Sequence, residues 1–581
     1  IVKTDGQSIF IASGHTVSIV SAQGRYSQAL SLIDASGQSG NSQGSAKSPI
    51  VDGAVAELML SGSTLAVLYQ LYTAQEIEFQ DGDNPYVPFA ASEIVTQLWD
   101  VSKPSAPRHL TSFSQSGRYS SSRLSGDLLY LISDYAVGDG DAVPDDPATF
   151  VPQTGQDGSH EVLPAEDIKL MPAPEGARYT VVTAVDVAKQ ARLGQQSVLG
   201  GAETVYMSGG NLYLAAFNNP DTVIKDYAPD PSQPASVEPD PSQPASDMPD
   251  PPQPISAAPD PTPTPTAPGG DTAEPIAEED APDPGIPAPA SAAAEPDVDM
   301  AGPAAVKTGK PSTHVVRIAL DGGELRMAAQ TDIPGVLINQ FALDEYENHL
   351  RVATTTMDEY NVAALRVLDA DLKQVGAIPK LANNENIESV RFQGKIGYVV
   401  TFRQTDPLFA IDLANPAKPK VLSELKIPGF SSYLHPYGDG LLLGLGMDGD
   451  KNGNINGLKL AMFDVSDPKD VTMITSKSIK YDTSQGLENH KAVLVDSDND
   501  LIGFDATDWR DDGQQSRYLV YGYDEDKGFS QHKALPISTP NGDTRHTRGL
   551  RVGGFLYVLS DKQLDVYTLS GFNKAADLRL P

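Results

Sequence analysis

The chain has 581 residues, 40% of them hydrophobic, and a formal net charge of −35. It is long for one ordinary domain, so several domains or a repeat architecture is expected, and its acidity excludes binding nucleic acid or an anionic membrane through the bulk field. Without cysteine there is no disulfide framework, thiolate metal site or cysteine nucleophile, and no apolar window of about 18 residues would span a bilayer.

The opening "IVKTDGQSIFIAS" reads as strands at once and lacks an initiator Met, which predicts a processed chain with any signal or anchor N-terminal to it. From 55, "VAELMLSGSTLAVLYQLY" gives two alternating strands around a tight turn, and "EIVTQLWDVSKPSAPRHLTSF" from 93 gives a third strand ending in Asp and a fourth. The same grammar returns as "GRYSSSRLSGDLLYLIS" (117), "AETVYMSGGNLYLAAF" (202), "IESVRFQGKIGYVVTF" (387) and "HTRGLRVGGFLYVLS" (546). About nine units begin near 1, 55, 117, 202, 337, 386, 431, 488 and 545, and no long helix is evident.

Between 227 and 311 proline, alanine and acids displace nearly all large apolar residues, with a ten-residue repeat starting "PDPSQPASVE" at 229. Such a stretch cannot bury enough apolar surface to offset chain entropy, so it is expected to be a disordered or semi-rigid insert. The predicted organisation is therefore residues 1–226 and 312–581 as two parts of one folded body, with the insert at 227–311 between them. Repeated four-stranded antiparallel units without helices predict an all-β fold, a single β-propeller of eight or nine blades. Separate β-sandwiches are the rival, but the near-regular recurrence leaves no linkers for them.

The segments "IVKTDGQSIFIASG", "LWDVSKPSAP", "SGRYSSSRLSGDLLYLIS", "LHPYGDGLLLGLGMDGDKNGNINGLKLAMFDVSDP" and "NHKAVLVD" together resemble secreted bacterial and archaeal proteins with a C-terminal β-propeller distantly related to WD40 repeats. The likeness covers nearly the whole chain outside the insert. It implies a location outside the cytoplasm, at the cell surface or in the envelope, with an anchor or signal segment preceding the start. It carries over no catalytic residues.

The gaps between second and third strands are the long ones, and they share a rim with the connections between blades, so binding residues are expected there. One such loop, "GMDGDKNGNINGLKL" at 446–460, spaces Asp448, Asp450, Asn452, Asn454 and Asn456 one residue apart with Gly453 for the bend. Alternating oxygens of this kind suit Ca2+, and the first half matches an EF-hand loop. Lys459 at the twelfth place and flanking strands instead of helices remove the EF-hand reading. A nine-residue calcium hairpin and a metal-free Asx turn remain open.

Other acidic runs, at 81–85, 138–146, 496–500 and 505–513, read as solvated turns, with 496–500 the second metal candidate. Asp100, Asp412 and Asp464, each four residues before a Pro, are expected to cap the turn into a fourth strand. "GNSQG" at 40–44 fits a nucleophile pattern but lies in a Ser/Gly-rich loop, and the nine histidines show no zinc spacing. The reading favoured is an extracellular, non-catalytic binding or scaffold propeller, a monomer whose partner is a surface protein or glycan. The alternative is a channel-mouth hydrolase acting on glycan or peptide through first-strand His435, His490, Arg118 and Arg123.

Overall fold

Strand after strand in this chain is too apolar to face water on either side. The third strand of the opening unit, Thr16–Ser21, is buried along almost its whole length, and Leu441–Gly449 and Ile455–Asp464 near residue 450 carry unbroken buried runs of five and seven residues. Strands covered on both faces require a stack of sheets, and this is what the computed structural model shows. It describes residues 1–36, 50–74, 89–138, 142–171, 177–218, 310–357, 360–402, 406–427, 429–450, 454–510, 513–537 and 547–581.

The strands, numbered β1 to β39 in chain order, form nine antiparallel blades. Blades 1 to 3 occupy residues 2–34, 50–116 and 118–199, and blade 4 spans 204–334 with the proline-rich segment between its second and third strands. Blades 5 to 9 occupy 343–383, 386–427, 430–479, 494–536 and 548–579. The predicted propeller is thus correct with nine blades, and the first strand of blade 2 starts at Ile50, five residues before the sequence pattern becomes regular.

The large apolar clusters are shared by neighbouring blades, which rules out separate sandwiches. Tyr398, Val400 and Leu408 of blade 6 pack with Leu442, Ala461 and Phe463 of blade 7. The ring closes without strand exchange: Ile9, Ile11 and Val20 of blade 1 pack against Tyr557, Leu559 and Val566 of blade 9. Each such side chain contributes roughly 1.5–3 kcal/mol on burial. Gly24 tightens this seam, since its φ of +60° suits glycine and its amide donates to the Tyr557 hydroxyl at 2.8 Å.

The Asp residues that end third strands do cap turns. Asp100, Asp412 and Asp464 accept the amides of Ser102, Ala414 and Ser466 at 3.0, 2.9 and 2.9 Å. Asp34, which ends the fourth strand of blade 1, likewise accepts the Ser36 amide. The long loop of blade 3 forms short strands of its own. Gln153–Gln156 extends blade 2 beyond its fourth strand, and Ile168–Leu170 pairs parallel to the outer strand of blade 3. The bridges Val336 to Thr355 and Thr483 to Thr507 tie inter-blade connections to the ends of second strands, so both lie on one rim.

Apart from Lys310 and Pro311, residues 227–311 lie outside the described residues, as do "GNSQG" and the acidic run at 81–85. Among the described residues no helix is long and apolar enough to cross a membrane.

Candidate functional site: the central channel

Four first strands carry the same irregularity. The ladder slips by one residue at Ala56 in β5 (Ile50–Ser61), at Ser120 in β9 (Arg118–Ser125), at Glu388 in β24 (Asn386–Gln393) and at Ser432 in β28 (Phe430–Pro436). A bulge leaves one residue outside the pairing and re-aims its neighbours. Here Ala56, Ser120 and Ser432 line cavities in the channel. Three compartments of about 720, 460 and 280 Å³ share Arg123 and Gln340 in their walls, so they adjoin one another.

Arg123 reaches from blade 3 toward blade 5. Its Nη2 donates to Gln340 Oε1 at 2.6 Å and to the Val205 carbonyl at 3.2 Å, while Nη1 donates to Ser121 Oγ at 2.6 Å. Gln340 opens a short 3-10 turn, Gln340–Ala342, whose start is capped by the Asn339 side chain accepting from the Phe341 amide. The turn presents Phe341 to three partners. The Arg391 guanidinium lies 5.0 Å over its ring, the His490 imidazole meets it edge-on at 5.0 Å, and Tyr433 stands at 6.3 Å.

Tyr433 and His435 are 2.7 Å apart through the hydroxyl and Nδ1. Burial pushes the His435 imidazole down to about 4, helped by Arg391 and His490, so at neutral pH the ring is uncharged. His490 is lowered too, first by burial and then by Lys491, Arg391, Arg123 and Arg548. His435 lies in a first strand as expected; His490 does not, but begins the 3-10 turn His490–Ala492 ahead of β32 (Leu494–Asp496). The irregular backbone there escapes a period-two reading.

On the other side of the channel Glu57, buried in blade 2, accepts Lys491 Nζ at 2.8 Å and lies 3.5 Å from Lys3 Nζ. Arg548 from blade 9 lines the same compartment and donates to the Thr547 carbonyl at 2.6 Å. Sequence reasoning missed Arg391, Arg548, Lys3, Lys491, Glu57 and Phe341. The available signal was a charged residue inside an otherwise apolar first strand, as in "SVRFQG" and "VAELML".

The hydrolase set does not assemble fully. Arg118 is exposed at the start of β9 and lines none of these compartments, and among the described residues no carboxylate lies within hydrogen-bond distance of His435 or His490. Tyr433 is within hydrogen-bond distance of His435, and cationic side chains help lower both imidazoles.

The calcium candidates sit on the long-loop rim, away from the channel. Asp448 closes the strand Leu441–Gly449 and accepts Ser478 Oγ at 2.6 Å. Asp450 accepts the Asn454 amide at 3.0 Å and its Nδ2 at 2.8 Å, which folds the loop as an Asx cap. Asn456 is exposed in the returning strand Ile455–Asp464, and Asn452 lies outside the described residues. At 496–500, Asp496 is bound by Arg551 and Asn499, and Asp500 accepts the Tyr523 amide at 2.6 Å. Asp505 corrects the expectation of a solvated turn: it is 1% exposed in Leu501–Arg510 and accepts the Gln485 amide. Among the described residues no three His, Asp or Glu side chains converge as a metal site.

A closed ring of nine four-stranded blades around a polar, cation-lined channel defines a β-propeller. The chain belongs to the family described as Beta propeller domain, which it matches over residues 1–572. It is 36% identical over 268 residues to an uncharacterized protein of Archaeoglobus fulgidus, covering 46% of this chain and 39% of that one. It is 45% identical over 188 residues to an uncharacterized protein of Methanocaldococcus jannaschii, covering 32% of this chain and 29% of that one. The chain thus spans well under half the length of either relative.

Among solved structures it overlaps the periplasmic gluconolactonase PpgL of Pseudomonas aeruginosa at TM-score 0.34 and 10% identity, covering 70% of this chain and 92% of that one. It overlaps AztD of Citrobacter koseri at TM-score 0.31 and 16% identity, covering 47% and 70%. Overlaps this remote assign no chemistry to the chain.

Proposed function

We propose that this chain is a non-catalytic binding propeller of the cell surface or envelope, with its ligand seated in the central channel. The observation that supports this is the set of adjoining channel compartments, the widest about 720 Å³ and walled by side chains from blades 1, 2, 3 and 9, the entry to blade 8 and Gln340, with Phe341 in the walls of the other two. Its size suits a small ligand or the end of a chain, and convergent polar groups in a preformed cavity are what fixes a ligand's orientation. The partner class is a surface glycan or protein whose end group enters the channel, and the propeller acts as a monomer. The rim loop at 448–456 is read as a calcium-stabilised hairpin that firms the long-loop face.

The test is a glycan array and a peptide array probed with the wild type and with Phe341→Ala. Retention by the wild type that the variant loses supports the reading. Equal retention by both, or cleavage of the retained glycan or peptide, overturns it.

A further inference from the structure

We propose that the channel of this acidic protein is a seat for an oxyanionic ligand, a small molecule or chain end bearing carboxylate or phosphate groups, gripped by Arg391, Arg548 and Arg123. This rests on the binding reading above and names its ligand class.

Three arginines line these adjoining compartments, and among the described residues none forms an ion pair with a carboxylate; buried Asp505, which accepts the Gln485 amide, attracts Arg548 only from beyond ion-pair distance, as Glu57 does Arg123. Arg123 is satisfied by carbonyl and amide oxygens, and Arg548 by one carbonyl. The Nε of Arg391 is shut off from solvent and meets no acceptor. A buried cation left without a counter-charge costs several kcal/mol. Fold stability does not require that cost, because an apolar side chain would fill the same wall. Burial lowers the pKa of all three guanidinium groups, which is the mark of desolvated charge.

The acids nearby do not cancel this charge. Glu57 is shared between Lys491 and Lys3, Asp344 is held by Arg351, and Glu203 by Arg178. Glu488 is exposed at the wall of the smaller compartment, and Glu388, without a charged partner, is pushed up by burial toward its neutral form. The formal charge of −35 repels anions only where its field reaches. At physiological ionic strength that field decays over about 8 Å, whereas charges inside low-dielectric walls focus their own. The local cations therefore decide what enters. Planar guanidinium groups also match the two oxygens of a carboxylate or phosphate.

Calorimetry and thermal melts of the full chain would use inorganic phosphate, tricarballylate and maltose as probes, with the variants Arg391→Gln and Arg548→Gln. Arg579→Gln, exposed on the outermost strand, makes the same charge change away from the channel. The expected result is saturable binding of phosphate or tricarballylate, whichever oxyanion the ligand carries, weakened at least tenfold in either channel variant and unchanged in Arg579→Gln. Should the variants misfold, wild-type affinity must still fall steeply between 50 and 500 mM NaCl, on the order of tenfold for one or two ion contacts. No anion binding, or binding unaffected by Arg391→Gln, overturns the proposal. If the array experiment shows Phe341-dependent retention of neutral glycans alone, the binding reading stands and this one falls.

Discussion

Lys491, at the entry to blade 8, holds its Nζ 2.8 Å from Oε2 of Glu57 in blade 2, a partner 434 residues away in sequence. With Lys3 of blade 1 at 3.5 Å, the contact spans the seam where the two ends of the chain meet.

Removing Glu57 therefore leaves two lysines facing each other across that seam. Glu57→Ala is expected to lower unfolding free energy by about 1–3 kcal/mol, and Glu57→Gln by less, in urea titrations. Burial pushes the Glu57 carboxyl up, but Lys3 and Lys491 prevail and hold it below its ordinary value. Its stabilisation is thus present above the unfolded carboxylate pKa and is lost as pH falls through the lower folded one. A wild-type and Glu57→Gln difference that is constant from pH 7 to pH 3 would contradict this.

Gly24→Ala should open the blade 1 and blade 9 seam. A Cβ there would overlap the Phe555 ring at a backbone φ of +60°. The expected loss is about 2 kcal/mol or more, against about 1 kcal/mol for Tyr557→Phe, which removes only the hydroxyl contact. Thermal melts of the two variants give the order.

His435 is held neutral by burial, with its pKa pushed down to about 4. Between about pH 6.5 and 4 the unfolded chain binds a proton that the folded chain refuses, so stability falls as pH drops through that window and levels below it. The effect is on the order of 1 kcal/mol once solvent screening of this partly exposed ring is allowed for. His435→Phe should flatten that part of the pH profile, and an unchanged slope would place the titration elsewhere.

The rim loop separates two contributions. Asp450→Ala removes the cap on Asn454 and should cost about 1 kcal/mol with or without metal. If the loop also holds calcium, the wild type melts higher in millimolar calcium than in chelator, and Asp448→Ala and Asp450→Ala abolish that difference. Identical wild-type melts in both solutions leave only the turn.

Much of the architecture was legible along the chain. "GRYSSSRLSGDLLYLIS" announces a hairpin because alternation and a Gly-containing turn are local properties, and Asp100, Asp412 and Asp464 at the ends of three third strands each cap a turn only two residues away. The channel was less legible. His435 was found through its strand, but Phe341 and His490 sit in 3-10 turns between blades, where no period marks a side. Asp505 looked like part of a solvated acidic run, and strand pairing buried it opposite Tyr518.

Sequence alone determined most strands, their order and the absence of thiol chemistry, because each depends on neighbours within a few residues, while the count of blades stayed at eight or nine until the ring was seen. Only the tertiary structure decided which charges meet. Arg123, Arg391, Lys491 and Arg548 come from four blades, and ring closure brings them to one channel where desolvation and shared solvent exclusion set their chemistry. Bulges at Ala56, Ser120, Glu388 and Ser432 then turn the inner edges by one residue, a shift that period-two reading cannot see because it reverses the face of everything after it.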